Sequence, residues 1–452
     1  MENTKAFIEN KLTEMKLKNE DAFARLDDIC YITDYTPEND IWTGAFQDAI
    51  NEHNTVIIPQ SDKPYIIDKA VIIPSNRRII AEDGAVIRLK EGVTTLMLRN
   101  ASTADGTHMP IITPRDKCIS IEGGVWEDWC PHRMGYGRSG TYDEKRSLYG
   151  VSTLMFLENV DCLTIKNMTF KHCGGFAVQI GDASDVVAEG IRFEECYADG
   201  LHINGNVDNV YINDVKGEVG DDLVAFNMFD WQDSSVNFGP CKNVLCQDLE
   251  LSESSHYKAL RIEPGVYEFK DGSCVDCSLE NAIFRRIKGI KTFKLYCQTP
   301  PYSPEKGPEK ADVGSGDNIF FEDISVDLDS PIDRLDEYMT SHPVKGAFAA
   351  FELGLNVKNI YFKNIDLILH RDIFPMSYLI CIGPKSVRFP DGREVFDPYF
   401  SSTADNIYLE NIRINGEKPH NVYDFIKEIE FNSLYNDIPS TACGRIKSIC
   451  VK

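Results

Sequence analysis

A short unit that recurs along the chain constrains the fold more than any other feature. Each copy opens on Asn or Asp and continues with alternating apolar and polar residues, the pattern of a short β-strand with one buried face. The starts, which are 26, 24, 34, 38, 37, 41 and 47 residues apart, are Asn159, Asp185, Asn209, Asn243, Asn281, Asn318, Asn359 and Asn406. A period of about two dozen residues that lengthens by insertion is typical of a solenoid.

An antiparallel β-sandwich is the alternative fold, because it also produces short alternating strands. It does not explain the recurring unit, and the hairpin signals Asn204-Gly205 and Asn415-Gly416 are too few to pair so many strands. We therefore predict an all-β protein, a single-stranded right-handed parallel β-helix over residues 31–452. The growing repeat spacing predicts that inserted loops accumulate on one side of the coil.

The first thirty residues differ from the rest. Residues 4–28 have helix-forming composition, with Phe7, Ile8, Leu12 and Met15 in a loosely helical spacing. We predict a short helical segment over residues 1–30. Such a helix could cap the coil or join subunits into a homo-oligomer.

Charge and composition narrow the classes of partner. The formal net charge of −24 argues against a nucleic-acid partner, since phosphate binding needs a positive field. The first residues carry charges throughout and contain no apolar run of signal-peptide or membrane length, so we expect no membrane contact and a cytoplasmic protein. The 14 cysteines are scattered, and Cys274 and Cys277 form a single C-x-x-C pair without nearby histidines. We therefore expect no metal site.

Three aspartates in consecutive repeats carry the candidate chemistry. Asp199 lies in YADGLHING, and Asp221 and Asp222 lie in GEVGDDLVAFN, 23 residues further on. Since that separation is close to one coil, the carboxylates should stack into one site. Their repulsion should raise at least one pKa, which suits the division between acid and base in glycoside hydrolysis. A solvated turn is the alternative, but the pair runs directly into the apolar stretch LVAF.

Several residues around the aspartates are candidate sugar contacts. His202 could face the groove or be a satisfied core residue, and the polar residues of HYKALRI alternate as on a strand with one open face. Aromatic residues concentrate in residues 125–150, which include Trp126, Trp129, Tyr136 and Tyr142. Aromatic faces beside hydrogen-bonding groups are what sugar rings require. The candidates are His202, Asn227, Trp231, His256, Lys258 and Arg261.

The segments ADG, GDDLVAF, SSHYKALRI and GIKTFKL, with the upstream AFQDAI and IPSNRRIIAEDGAVI, resemble the polygalacturonase family, glycoside hydrolase family 28. The resemblance covers about residues 40–420, with the informative motifs between 198 and 295. It implies a right-handed β-helix that hydrolyses galacturonan or rhamnogalacturonan chains with inversion and without metal or organic cofactor. It further implies that Asp221 is the general acid and that Asp199 and Asp222 hold and activate water. His256 matches the family's G-H-G histidine, and Lys291 or Lys294 its R-I-K basic pair.

The sequence departs from the family mainly at the cations. Ser255-His256-Tyr257 stands for G-H-G, and Arg261-Ile262-Glu263 only partly matches R-I-K. Hydrolysis is thus better supported than galacturonate as the sugar. We expect an intracellular, exo-acting glycosidase for pectin-type oligosaccharides. Two alternatives stay open: a non-catalytic glycan-binding or structural β-helix, and a lyase or epimerase on the same scaffold, which would need a catalytic Lys, Arg or Tyr base near the uronate and often calcium.

Overall fold

The computed structural model describes most of the chain: residues 2–93, 95–103, 114–130, 153–230, 236–255, 259–269, 271–289, 293–295, 310–329, 348–383, 386–388, 394–396, 401–429 and 443–452. Two α-helices lie near the start, α1 (Glu2–Ala24) and α2 (Thr43–Glu52). Nearly everything else that is regular in these residues is β-strand.

The first fifteen strands lead up to and include the region of the aspartates. They are β1 (Ile29–Tyr31), β2 (Thr55–Ile58), β3 (Tyr65–Ile67), β4 (Val71–Ile73), β5 (Arg77–Leu89), β6 (Leu98–Asn100), β7 (Asp116–Glu127), β8 (Thr153–Lys166), β9 (Thr169–Lys171), β10 (Phe176–Glu194), β11 (Leu201–Asn204), β12 (Val207–Gly217), β13 (Val224–Asn227), β14 (Cys241–Leu251) and β15 (Leu260–Glu263).

The remaining strands complete the coil and two small insertions. They are β16 (Gly265–Glu268), β17 (Cys274–Cys277), β18 (Leu279–Lys288), β19 (Phe293–Leu295), β20 (Lys310–Asp312), β21 (Ser315–Leu328), β22 (Phe348–Leu353), β23 (Asn356–Leu369), β24 (Ser377–Ile382), β25 (Ser386–Arg388), β26 (Glu394–Phe396), β27 (Ser402–Ile414), β28 (Ile426–Glu428) and β29 (Gly444–Val451).

The long strands pair in parallel, each with the equivalent strand one coil away. Thus β10 pairs with β12, β12 with β14, β14 with β18, and so on to β29. The first part of β10 and the short strands form a second parallel ladder, which we call the site sheet. Its short strands include β11, β13, β15, β19, β22, β24 and β28. Parallel stacking of this kind is a β-helix and excludes the sandwich. Parallel crossovers are right-handed in nearly all proteins, which is the sense we expect here.

The recurring Asn or Asp explains how the chain turns its corners. Asn209, Asn243, Asn281 and Asn318 all have φ between 54° and 57°, in the left-handed region that Asn tolerates better than most residues. Their amides also bridge the coils: Asn318 Nδ2 donates to Asn281 Oδ1 at 3.1 Å. A second left-handed position follows five residues later, as at Asp214 and Asp248. These repeats therefore bend twice, and the bends wrap the chain around the apolar core.

The register corrects the first repeat. Val160 pairs with Ala183, so Asn159 stacks on Asp182, and Cys162 is the residue that stacks on Asp185. Cys162 adopts the same left-handed φ, 63°, as the asparagines of later coils. The 26-residue first interval was therefore wrong by three residues, because the unit's corner residue is a cysteine there.

The N-terminal helix is confirmed, and it lies along one face of the coil. Ile8 and Leu12 of α1 are fully buried against a straight ladder of outward side chains that includes Val187, Leu245 and Ile283. Ion pairs such as Lys16 with Glu189 at 2.6 Å flank this contact. Helix α1 thus covers a face that is formed by long strands of the coil. The shorter helix α2 packs Phe46 and Ile50 into the apolar core near the first coils.

Candidate active site

The three aspartates lie in the turns that lead into two neighbouring strands of the site sheet. Asp199 precedes β11, and Asp221 and Asp222 precede β13. The Gly200 N–H donates to the Asp222 carbonyl at 2.9 Å, so the two turns stack directly. A Cβ at Gly200 would lie 2.6 Å from the Leu223 carbonyl oxygen and from the Phe193 ring, which explains the glycine of the A-D-G motif.

The carboxylates form one cluster. An oxygen of each of Asp199, Asp221 and Asp222 lies within 4.8 Å of the others, and the residues are only 3%, 5% and 1% exposed. The structure thus brings the three carboxylates together. An all-carboxylate set of this size would suit a hard cation such as Ca²⁺ as well as acid–base chemistry.

Asp199 is held on both oxygens. His202 Nδ1 lies 2.6 Å from Asp199 Oδ2, and the backbone N–H of Asp222 donates to Oδ1 at 3.2 Å. The other ring nitrogen of His202, Nε2, lies 3.1 Å from Asp230 Oδ2. Phe176 stacks flat on the imidazole, with ring centroids 4.0 Å apart. Asp199 is thereby oriented as a hydrogen-bonded carboxylate.

The surroundings of His202 favour its charged form. Burial by itself lowers the pKa of His202, but the hydrogen bonds and charges of Asp199 and Asp230 outweigh it and raise the pKa to about 10. His202 is 1% exposed, and both ring nitrogens face carboxylates. This geometry favours a positioning role for His202 over the sugar contact that we expected.

Arg261 lies between two carboxylates. Its Nη1 is 3.6 Å from Asp222 Oδ2, and its Nη2 donates to Glu263 two residues further along β15. Arg261 is 8% exposed and Glu263 is fully buried. The Arg261 guanidinium therefore contacts two carboxylates of the protein, those of Asp222 and Glu263.

The register of the site sheet brings further polar side chains to the same outward face. His202, Ala225 and Arg261 align across β11, β13 and β15, and so do Asn204, Asn227 and Glu263. Lys294 lies on β19, opposite Glu352 on β22. These side chains face outward because their strand neighbours, such as Ile262 and Phe293, lie in the apolar core.

Sequence reasoning missed Asp230, Glu263, Asn204 and Glu352. Two of them had a usable signal: Asn204 lies 23 residues before Asn227, the same interval that separates Asp199 from Asp222, and Glu263 alternates with Arg261. Asp230 had none, because it reaches His202 from beyond the end of its strand.

Several predicted contacts lie outside the described residues: Trp231, His256, Lys258, Lys291, Tyr136 and Tyr142. Of the remaining aromatic candidates, Trp126 was wrong as a groove residue, since it is fully buried in the apolar core and donates Nε1–H to the Gly123 carbonyl at 2.9 Å. Trp129 is 47% exposed, and Arg88 lies 4.6 Å from its ring.

Chain inserted after β13 and β15 lies beside the site sheet. The Val236 N–H donates to Asn204 Oδ1 at 3.3 Å. Tyr267, on the small antiparallel sheet β16, β17 and β20, stacks on Phe238 with centroids 3.9 Å apart. These inserted segments follow β13 and β15, which agrees with the expected growth of loops on one side.

No protein-family model matches the chain, and no curated protein matches it. Among solved structures, a family 28 exopolygalacturonase from Yersinia enterocolitica has 13% identity and a TM-score of 0.48, over 94% of this chain and 78% of that one. A GH87 alpha-1,3-glucanase from Streptomyces thermodiastaticus has 12% identity and a TM-score of 0.45, over 93% and 68%. The Streptococcus pneumoniae surface adhesin PfbA has 13% identity and a TM-score of 0.42, over 86% and 94%. Likenesses this distant assign no function to the chain, so its fold rests on its own strand pairing and its chemistry on its own side chains.

No helix within the described residues is both long enough and apolar enough to span a membrane.

Proposed function

We propose that this protein is a glycoside hydrolase that cleaves pectin-type oligosaccharides by single displacement with inversion. The observation that supports the proposal is the buried cluster of Asp199, Asp221 and Asp222, in which one carboxylate is tied to a charged histidine. Glycoside hydrolysis needs one carboxyl group that donates a proton and another that activates water, in environments that differ.

Asp221 is the general acid in this proposal. Its carboxyl proton passes to the glycosidic oxygen as the bond from that oxygen to the anomeric carbon breaks. Asp199 and Asp222 hold the attacking water, and its proton passes to one of them as its oxygen bonds to the anomeric carbon. Each carboxylate oxygen has two acceptor sites, so Asp199 can bind water while its bonds to His202 and to the Asp222 amide persist.

The spacing of the carboxylates bears on the stereochemistry. Oxygens within 4.8 Å are closer than the roughly 6.5–9.5 Å typical of inverting pairs and nearer to the roughly 5–5.5 Å of retaining pairs. We favour inversion because Asp199 already accepts a hydrogen bond on each oxygen, which weakens it as a nucleophile and leaves it suited to bind water. The third carboxylate gives that water a second acceptor.

Three finer features belong to the same proposal. Exo action is supported by the chain inserted after β13, which contacts the end of β11 through the Val236 N–H and the Asn204 side chain and could close one end of a groove. The cytoplasmic location expected from the sequence is tested by cell fractionation. Homo-oligomer formation is tested by sedimentation of the full chain.

Hydrolysis of a panel tests the proposal: oligogalacturonides, rhamnogalacturonan fragments and neutral plant oligosaccharides, with products separated by size. We expect release of monosaccharide by the wild type and a loss of about 10²–10⁴-fold in Asp221→Asn. Asp366→Asn is the matched control, because the Asp366 side chain is 58% exposed on β23. Its ion pair with Arg413 is long, at 3.9 Å. Its activity should equal that of the wild type.

The alternatives predict different results. Binding of the oligosaccharides without hydrolysis would favour a glycan-binding or structural β-helix. An unsaturated product that absorbs in the ultraviolet would identify a lyase, and release of mid-chain fragments would contradict exo action.

A further inference from the structure

The charged side chains on the outward face of the site sheet point to the class of sugar. In the described part of the chain, six carboxylates meet there, those of Asp199, Asp221, Asp222, Asp230, Glu263 and Glu352. Three cations face them, His202, Arg261 and Lys294. Among these nine described side chains the formal charge is negative, and it stays negative when Asp221 carries the catalytic proton.

Each of these cations has a carboxylate of the protein beside it. His202 lies between Asp199 and Asp230, and Arg261 between Asp222 and Glu263. Lys294 and Glu352 are direct neighbours on adjacent strands, which lie about 4.8 Å apart in a sheet. A ligand carboxylate would have to share one of these cations with the protein carboxylate already beside it, and the two carboxylates would repel each other.

Hydrogen-bonding capacity points the same way. Asn227, on the same face, is 4% exposed, and its Oδ1 has no donor among the described residues. Its neighbour across the ladder is Glu263, whose carboxylate also accepts hydrogen bonds. Acceptors in this position can accept from a sugar hydroxyl, whereas a uronate carboxylate is itself an acceptor and would face the Glu263 carboxylate.

We infer that the sugar bound over Arg261, Asn227 and Glu263 is neutral rather than a uronate. This inference rests on the proposed glycoside hydrolysis and narrows its substrate within pectin-type oligosaccharides. In this inference Glu263 determines the specificity for a neutral sugar. Its carboxylate holds the Arg261 guanidinium away from the substrate and repels a ligand carboxylate.

The test compares oligogalacturonides with the same chains after chemical reduction of their carboxyl groups to primary alcohols. The two substrates differ only at C6, where a carboxylate is replaced by a primary alcohol. We expect the wild type to hydrolyse the reduced chains at least about tenfold faster in kcat/KM. Added salt should raise the rate on the charged chains and leave the rate on the neutral chains unchanged, because it screens repulsion.

The variant Glu263→Gln keeps the side-chain shape and releases Arg261. This variant should reduce the ratio of kcat/KM on the reduced chains to kcat/KM on the charged chains. Most of the change should come from a lower KM for the charged chains. Glu280→Gln is the control, since that side chain is 39% exposed and pairs with Lys242 on the surface. Its preference should equal that of the wild type.

The outcomes separate this inference from the proposed function. Equal or faster hydrolysis of the native oligogalacturonides by the wild type would overturn the neutral sugar and leave the hydrolase standing. If the wild type hydrolyses no member of either series, the proposed function is overturned, and this inference with it. If Glu263→Gln does not fold, the comparison of the native and reduced chains with the wild-type protein still tests the inference.

Discussion

His202 and Asp199 form a buried ion pair across one turn of chain, with Nδ1 and Oδ2 separated by 2.6 Å and the imidazole stacked on Phe176. Because Asp230 approaches the other ring nitrogen, the imidazolium joins a carboxylate of the proposed catalytic cluster to one outside it. Asp199 is therefore positioned by the buried imidazole of His202.

The charge on His202 leads to a prediction about pH. The pKa of His202 is raised to about 10 in the folded chain, against about 6.5 in an unfolded one. Between these values only the folded chain holds this proton. The contribution of His202 to stability is thus fully present below about pH 6.5 and is lost as the pH rises through about 10.

The measurement is ¹⁵N NMR of protein labelled at histidine. One signal should keep the imidazolium shift to about pH 9, disappear in His202→Gln and persist in His370→Gln, which removes a surface histidine bonded to Asp327. A neutral imidazole tautomer for His202 at pH 8 would show that the ion pair is wrong.

The anomeric configuration of the first product distinguishes the two roles of Asp199. If Asp199 and Asp222 activate water, proton NMR of fresh product should show inversion, because the water attacks opposite the leaving group. If the short carboxylate spacing reflects a nucleophile, the product will show retention. Asp199→Asn should then accumulate no covalent intermediate, whereas wild-type enzyme with a slow substrate should.

Chelation tests whether the cluster works as a cation site. Since the proposal assigns all three carboxylates to proton transfer and to water, treatment with EDTA should leave kcat unchanged. Added Ca²⁺ should inhibit, because a cation in the cluster would take the oxygens that hold water. Loss of activity on chelation, with recovery on Ca²⁺ addition, would instead favour lyase chemistry.

The packing of α1 predicts a stability difference within one helix. Leu12 is fully buried against the β-helix, and Leu17 is 59% exposed. Leu12→Ala should lower the free energy of unfolding by about 2–5 kcal/mol, since it removes buried methyl groups and leaves a cavity. Leu17→Ala should change it by less than about 0.5 kcal/mol. Urea unfolding of both variants measures the difference, and equal effects would show that α1 does not dock as described.

The sequence alone determined the parallel coil and the location of its acidic cluster. Both follow from intervals along the chain: Asn or Asp recurs once per repeat, in several repeats at a left-handed turn such as Asn209 or Asn243, and Asp199 and Asp222 lie one coil apart. Neither inference needs knowledge of distant contacts.

Only the tertiary structure decided which side chains pair. Asp230 meets His202 because the chain beyond β13 folds back over the site sheet, and Arg261 bonds Glu263 and Asp222 because three strands align in register. The docking of α1 along one face likewise depends on a ladder from Val187 to Phe320, assembled from five coils. These contacts depend on insertion lengths and strand register, which no local pattern in the sequence specifies.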